Sequence, residues 1–250
     1  MDWRESKGLR WLEADLGGAR AAFSTRLGGV SAPPFDSLNL GLLTEDTKDA
    51  VAENRLRLAS ALGFAPEQVV FARQVHGTDL IEGADPSRGS FVRDDRTREP
   101  GDVVAADGHV VRAPGLAPLV FTADCLPVAL RGPGGVAMVH AGWRGLAGGI
   151  LAAGASAVGA ARAAIGPGIG PCCYEVGDEV LAAFGDLGGV AAERMLDLPE
   201  VARRLLLQAG VDEIELAGLC TRCESDLFFS HRRDDGRTGR QAGLAWIEEG

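Results

Sequence analysis

The sequence predicts an α+β fold, a single compact domain of mixed β-sheets packed with helices, with a cleft formed at strand ends. Short apolar segments of strand length and longer segments with helical spacing follow one another without regular β-α-β alternation. No linker or low-complexity stretch divides the 250 residues, so we expect one domain over 1–250. A hydrophobic fraction of 46% in a chain of this length is enough for an ordinary core.

The predicted elements follow from local periodicity and from the turn residues that bound each segment. Short apolar runs predict strands at 21–24, 69–75, 116–121, 126–130, 135–139, 163–165, 213–218 and 242–247. Helical spacing predicts helices at 46–62, 145–161, 177–184 and 199–209, and Gly63 is expected to end the first of them. Between 85 and 102 the pattern dissolves into Pro, Gly, Arg and Asp, which is typical of a surface loop.

Charge and composition exclude several classes of protein. A net charge of −10 argues against non-specific nucleic-acid binding, so an anionic substrate needs a local arginine cluster. No stretch reaches the roughly 18 apolar residues of a spanning helix. The start carries acids where a secretory signal has basic and apolar regions, and we therefore expect a cytoplasmic protein with its five cysteines mostly reduced.

The chain has four histidines, His76, His109, His140 and His231. Copper sites depend heavily on imidazole ligands. Four histidines cannot supply a trinuclear copper cluster and a fourth copper within one chain. One mononuclear site is compatible with the sequence, whereas an ordinary multi-copper oxidase is not.

Three segments each place one ligand-type side chain where an apolar strand ends, and these side chains are His76, Cys125 and His140. If the strand ends converge, two imidazoles and one thiolate form a tetrahedral zinc site with one open position, as catalytic zinc sites have. None of the intervals is a known metal-ligand spacing. From spacing alone, a buried cysteine and two structural histidines remain the simpler interpretation.

A series of motifs follows in order from about residue 20 to the C-terminus. The motifs are TRLGGVS (25–31), SLNLG (37–41), QVHG (74–77), TADCLPV (122–128), VHAGWRGLAGGIL (139–151), IGPGIGPCCYEVG (165–177) and LCTRCESDLFFSHRRDDGRTGRQAGLAW (219–246). This series resembles the laccase-domain family, whose members are labelled polyphenol oxidases and described as zinc-dependent purine nucleoside phosphorylases with adenosine deaminase activity.

The resemblance implies that His76, Cys125 and His140 hold the metal, with zinc expected and copper as the alternative. It also implies phosphorolysis of adenosine, inosine and, as a further candidate, methylthioadenosine to the free base and ribose 1-phosphate. The expected partners are therefore a small purine nucleoside and phosphate, with no nucleic acid and no membrane; the oligomeric state stays open.

Phosphorolysis needs a cradle for inorganic phosphate, and guanidinium groups pair bidentately with phosphate oxygens. We expect Arg26, Arg144 and Arg240 at the site because of their motif positions. Arg232 is a further candidate, whereas Arg233 is better explained as a surface residue.

Other polar residues of the motifs each have two alternative roles. His231 is either a proton donor or part of a structural turn. Asn39 and Gln74 are candidates for binding ribose hydroxyls or for orienting a ligand histidine, a supporting role that also suits Asp124. Strand alternation would send Asp124 and its neighbour Cys125 to opposite faces. His109 lies outside the ligand motifs and is interpreted as structural or surface.

The remaining cysteines are the vicinal pair Cys172-Cys173 and the CxxC pair Cys220 and Cys223. A CxxC is half of a zinc site, and a vicinal pair is an awkward second half. The sequence therefore favours thiols that pack in the core or line the cleft over a structural zinc site.

Three alternatives to the phosphorylase remain at this point. One is a metal-independent hydrolase with Cys125 as nucleophile and His140 as base, for example in cell-wall precursor editing. Another is a copper-dependent polyphenol oxidase with one His-His-Cys copper. The last is a catalytically silent scaffold, which would leave three ligand-type residues without a reason to meet.

Overall fold

The computed structural model describes residues 1–83, Phe91 and residues 104–249. The strands are β1 (Asp2–Ser6), β2 (Leu9–Asp15), β3 (Ala19–Ser24), β4 (Val69–Val70), β5 (Leu80–Glu82), β6 (Gly108–Val111), β7 (Ala117–Thr122), β8 (Leu126–Gly132), β9 (Gly135–Ala141), β10 (Arg162–Ile165), β11 (Ala191–Ala192), β12 (Met195–Leu196), β13 (Glu213–Leu216) and β14 (Gln241–Ile247). The helices are α1 (Lys48–Leu62), α2 (Trp143–Gly148), α3 (Ile150–Val158), α4 (Asp178–Ala183) and α5 (Leu198–Gln208). The loop predicted at 85–102 lies, apart from Phe91, outside the described residues.

Two large mixed sheets form the centre of the domain. The first has the order β1-β2-β3-β14-β7-β4 and the second has the order β13-β10-β8-β9-β6-β5. Three pairs are parallel, namely β4 with β7, β5 with β6, and β10 with β13. This architecture confirms the predicted α+β class.

The sheets stack face to face and helices cover their outer faces. Phe23 and Val120 of the first sheet share one buried cluster with Ala129 and Met138 of the second. Helix α1 packs on the outer face of the first sheet, while α3 and α5 pack on that of the second. Each sheet therefore buries apolar side chains on both faces, against the other sheet on one side and against helices on the other.

Helix boundaries follow their capping residues. Thr47 accepts a hydrogen bond from the backbone N–H of Ala50 at the start of α1, and Gly63 ends it in the left-handed conformation with φ 83°. The predicted helix at 145–161 is instead two helices, because Gly149 adopts φ 94° and interrupts the chain between α2 and α3. Within the described residues, no helix is long and apolar enough to cross a membrane.

The strand predicted at 69–75 is wrong in its length, since only Val69 and Val70 pair in the sheet. After β4, Arg73 makes only an isolated backbone bridge with Ala105, and the Gln74 side chain binds the backbone of Phe121 through both amide atoms, at 2.8 Å each. The following residues thereby leave the sheet and carry His76 into the space above it. The N-terminal hairpin β1–β2 and strand β6 were not predicted from periodicity.

Candidate metal centre and cavity

The predicted ligands meet where the chain passes from one sheet to the other. Cys125 lies in the connection from β7, in the first sheet, to β8, in the second. His140 lies near the end of β9 and pairs with Pro127 of β8. His76 follows β4, which pairs with β7. The structure therefore brings together three residues that are far apart in sequence.

The donor atoms are spaced as a metal ion requires. One ligand atom from each of His76, Cys125 and His140 lies within 4.8 Å of the others, and His76 Nε2 is 3.8 Å from Cys125 Sγ. A tetrahedral zinc ion sets its nitrogen and sulfur ligands about 3.6 Å apart. The two imidazole rings are nearly perpendicular, with an interplanar angle of 76°. The set thus fits a metal ion with three protein ligands.

Gly142 leaves the space that this arrangement needs. A Cβ atom at that position would lie 3.0 Å from Cys125 Sγ and 3.0 Å from His76 Cδ2. A side chain at position 142 would crowd the Cys125 thiol and the His76 ring, which would have to shift by a few tenths of an ångström.

Asp107 orients both histidines and was missed in the sequence. Its carboxylate is fully buried, and Oδ1 accepts hydrogen bonds from His140 Nδ1 at 2.8 Å and from the backbone N–H of His76 at 2.9 Å. Oδ2 accepts from the backbone N–H groups of Val75 and Gly77. The carboxylate thus supports the positive φ of 60° at His76 and turns Nε2 of His140 toward Cys125. A single acid before a short strand carries no spacing signal, so only the fold reveals this role.

The electrostatics of the site favour a thiolate. Burial opposes ionisation of Cys125, yet the charge and hydrogen bonds of His140 and His76 lower the pKa of its thiol to about 6. Burial likewise opposes protonation of His140, but Cys125 and Asp107 raise the pKa of this histidine to about 9. The thiolate is the form of cysteine that binds metal or acts as a nucleophile.

The donor set opens into a cavity of about 540 Å³, which is within the usual range for small-molecule sites. Apolar side chains make most of its wall, chiefly Leu42, Leu43, Phe71, Phe121, Ile169 and Tyr174. Burial raises the pKa of the Tyr174 hydroxyl to about 12, so it stays protonated at neutral pH. Thr122 also lines the cavity, and its buried Oγ1 has no hydrogen-bond partner among the described residues. Sequence reasoning singled out neither Tyr174 nor Thr122.

Two of the predicted arginines line the cavity. Arg240 donates through Nη1 to the carbonyl oxygens of Thr238 and Gly239, and within the described residues its other guanidinium N–H groups have no hydrogen-bond acceptor. Arg232 donates through Nη1 to the carbonyl of Glu175.

Arg26 and Arg144 are not among the residues that line the cavity, and their role in binding phosphate stays a prediction. The Arg26 side chain is held by Asp36 and by the carbonyl of Ser225. Arg144 is exposed and its guanidinium lies 4.3 Å from the Trp143 ring centre. Arg233 is also structural, since it binds the carbonyl groups of Thr221 and Phe228.

Asn39 and Gln74 both make hydrogen bonds within the protein. Asn39 is fully buried, and its Oδ1 accepts hydrogen bonds from the backbone N–H groups of Gly41 and Arg240. Asn39 thus positions the backbone of Arg240, and the predicted contact of Asn39 with ribose stays a prediction. Gln74 does line the cavity, but both its amide atoms are used by Phe121.

Asp124 and Cys125 lie in a turn, where strand alternation does not apply. Asp124 has φ 92°, and both residues line the cavity. The Asp124 carboxylate accepts hydrogen bonds from Thr221 Oγ1 and from the backbone N–H of Arg232, each at 2.7 Å. It thereby holds two neighbouring loops against the cavity.

The other histidines differ sharply in exposure. His231 is exposed and lines the cavity. His109 is buried in β6, away from the cavity lining, and burial lowers its pKa to about 4.

None of the other four cysteines lines the cavity, while Cys173 and Cys220 pack against the apolar cluster on the outer face of the second sheet. Cys172 and Cys223 are exposed, while Cys173 and Cys220 are half-buried. Their sulfur atoms all lie within 4.8 Å of one another.

Comparison with known proteins places the chain among related sequences and structures. It is 40% identical over 244 residues to a protein of Escherichia coli named purine nucleoside phosphorylase YfiH, covering 92% of this chain and 94% of that protein. It is 39% identical over 269 residues to purine nucleoside phosphorylase YlmD of Geobacillus stearothermophilus, covering 98% and 95%.

Solved structures agree with these relationships. The crystal structure of YlmD from Geobacillus stearothermophilus superposes with a TM-score of 0.88 at 37% identity, covering 98% of both chains. A Bacillus licheniformis hypothetical protein YfiH superposes with a TM-score of 0.84 at 34% identity, covering 98% of this chain and 99% of that chain. Residues 20–248 match the model of the family described as multi-copper polyphenol oxidoreductase laccase, and the chain belongs to that family.

Proposed function

We propose that this protein is a zinc-dependent purine nucleoside phosphorylase. The observation that carries the proposal is the His76-Cys125-His140 donor set, which opens into a cavity of nucleoside size with Arg240 on its wall. The names of the relatives supply the substrate class. Two imidazoles and a thiolate suit zinc, which supplies Lewis-acid chemistry when bound with an open position.

The cavity offers a purine ring and phosphate matching surfaces. Phe71, Phe121 and Tyr174 provide aromatic surface for a purine ring. Arg240 and Arg232 attract the phosphate dianion into a protein of net negative charge.

These residues position phosphate for direct attack on the ribose. A phosphate oxygen forms a bond to the anomeric carbon while the bond from that carbon to purine N9 breaks. The electron pair stays on the purine, which takes a proton at a ring nitrogen from a donor such as His231. The products are the free base and ribose 1-phosphate. The same site supports hydrolytic deamination of adenosine, a water-dependent reaction that zinc sites of other folds also perform.

The test is phosphorolysis by protein purified without added metal. Inosine or adenosine with phosphate should yield the base and ribose 1-phosphate. Chelation should abolish turnover and zinc should restore it. Turnover by fully demetallated protein would exclude the zinc mechanism. Failure of zinc-loaded protein on every purine nucleoside would exclude the substrate class.

A second candidate is a Cys-His hydrolase, favoured by the contacts of His140. His140 lies between Cys125 and Asp107, the order of nucleophile, base and orienting carboxylate in cysteine hydrolases. Such an enzyme needs no ion, so the chelation experiment separates the two. A multi-copper oxidase remains excluded by the four histidines, of which His109 lies away from the cavity. One copper at the same donor set would oxidise phenols only when copper is supplied.

A further inference from the structure

The cysteines Cys172, Cys173, Cys220 and Cys223, here the four-cysteine cluster, form a second group of potential metal ligands outside the cavity. Cys172 Sγ and Cys173 Sγ each lie 3.4 Å from Cys223 Sγ. All four sulfur atoms lie within 4.8 Å of one another. A tetrahedral zinc ion with four thiolate ligands sets its sulfur atoms about 3.8 Å apart. The spacing therefore suits a single ion at the centre of the cluster.

The topology explains why two short segments meet here. Strands β10 and β13 are parallel, so the loops that follow them leave the sheet at the same end of the two strands. A bridge between Gly168 and Cys220 continues the pairing beyond the strands. Gly170 then lets the loops approach closely, since a Cβ atom there would lie 3.3 Å from the Cys220 Cβ atom.

Local turns aim adjacent cysteines at one point. Residues 171–173 form a turn in which the N–H groups of Cys173 and Tyr174 both donate to the carbonyl of Gly170. In such a turn neighbouring side chains need not alternate as in a strand. The vicinal pair, which looked awkward as half of a metal site, therefore supplies two sulfur atoms to the same side.

Backbone donors surround one of the sulfur atoms as they do around bound thiolates. The N–H of Gly170 donates to Cys220 Sγ at 3.3 Å, and the N–H groups of Arg222 and Cys223 donate to the same sulfur. These bonds offset the negative charge that four thiolates around a divalent ion leave on the site.

We propose that the four-cysteine cluster is a structural zinc site, distinct from the His76-Cys125-His140 set. Its four ligands leave no open position, so it is not a second reaction centre. Binding of one Zn²⁺ releases the thiol protons to solvent. The ion joins the loop at 166–176 to the loop at 219–223.

The site braces one wall of the cavity. Tyr174, which follows Cys173, lines the cavity, and Thr221, which follows Cys220, donates to Asp124 on that wall. Loss of the ion should therefore lower stability strongly and disturb the cavity only indirectly.

Zinc content tests the proposal directly. The wild-type protein should contain two zinc ions per chain. Cys220→Ser with Cys223→Ser should contain one, as should Cys125→Ser, and the triple variant should contain none. Ser225→Ala, an exposed neighbour of the cluster, should keep two. Unchanged zinc content in the double variant would overturn the proposal.

Two measurements on the wild-type protein cover the case in which the double variant fails to fold. X-ray absorption data at the zinc edge should be fitted only when half of the zinc ions are given four sulfur neighbours. The exposed Cys172 and Cys223 should resist alkylation until a chelator is added, and mass spectrometry should then locate the label. Rapid alkylation of the untreated protein, a disulfide between the two segments, or iron bound in place of zinc would each contradict a structural zinc site.

Discussion

The two sulfur-containing clusters of this protein differ in the features that distinguish a catalytic metal site from a structural one. The His76-Cys125-His140 set has three donors, lines a cavity and is supported by a buried carboxylate, Asp107. The four-cysteine cluster has four donors, lies outside the cavity lining and is supported by backbone N–H groups. Three donors leave a coordination position for a reactant, whereas four close it.

The chain reaches each cluster by a different route. The three donors of the first set come from widely separated segments that meet where β7 passes into β8 between the sheets. The four cysteines come from two loops that follow one parallel strand pair. The core of both sheets holds the donor atoms of the first site in place. At the second site, a bound ion would instead hold the two loops together.

The largest expected effect separates the two clusters by their readouts. Cys125→Ser should lower turnover by more than about 100-fold, because loss of a mere supporting partner already costs 10–100-fold. Its melting temperature should also fall, because loss of a bound ion removes binding free energy from the native state, but by less than that of Cys223→Ser. Cys223→Ser should in turn lower turnover less than Cys125→Ser does. Paired activity assays and thermal denaturation check this, and equal profiles for the two variants would remove the distinction.

Sequence reasoning succeeded where local pattern decides structure. The fold class and most of the strands from β7 onward follow from apolar segments bounded by turns. It failed where side chains replace regular pairing: after β4 ends at Val70, the Gln74 side chain binds the backbone of Phe121, and Asp107 accepts hydrogen bonds from the backbone of residues 75–77.

The same limit applies to the sites. The convergence of His76, Cys125 and His140 was implied by family resemblance and not by spacing. Asp107, Tyr174 and Thr122 carry no motif of their own. The four-cysteine cluster depends on β10 and β13 being parallel neighbours, a long-range pairing that periodicity does not encode.

The next effect tests how the open site is held. Asp107→Asn keeps the shape of the side chain but removes its charge and turns an N–H₂ group toward backbone N–H donors or His140. We expect metal affinity at the three-donor site to fall 10–100-fold. Competition with a chromogenic chelator measures the zinc affinity of the three-donor site. The zinc proposed for the four-cysteine cluster serves as the internal reference. Equal loss from both sites would indicate general unfolding instead.

A smaller effect is expected at the phosphate subsite. Arg240→Ala should raise the KM for phosphate about tenfold, a little over 1 kcal/mol, and should raise the KM for the nucleoside less. Arg237→Ala is the matched control, because it removes the same charge from an exposed pair with Glu45 outside the cavity lining. Steady-state kinetics with each substrate varied in turn checks the prediction. Equal phosphate KM values in the two variants would leave the subsite without Arg240.

The smallest effect on catalysis is expected from His109, which is not one of the potential metal ligands and does not line the cavity. His109 is 2% exposed in β6, and burial lowers its pKa from 6.5 to about 4 in the folded protein. Between these two values the unfolded chain binds the proton more strongly, so stability falls as pH falls from about 6.5 toward 4. The contribution at pH 5 relative to pH 7 is about 2 kcal/mol, since each pKa unit is worth about 1.4 kcal/mol.

His109→Leu removes this titration and places an apolar side chain of similar size in the strand. The loss of unfolding free energy between pH 7 and pH 5 should therefore be about 2 kcal/mol smaller in the variant, and turnover at pH 7 should stay near the wild-type value. Val110→Ala, a truncation in the same strand, should lower stability by a similar amount at both pH values because it removes no proton-binding group. Chemical denaturation of all three proteins at pH 7 and pH 5 makes the comparison. If His109→Leu kept the full wild-type dependence on pH, acid sensitivity would arise instead from groups such as the buried Asp107–His140 pair.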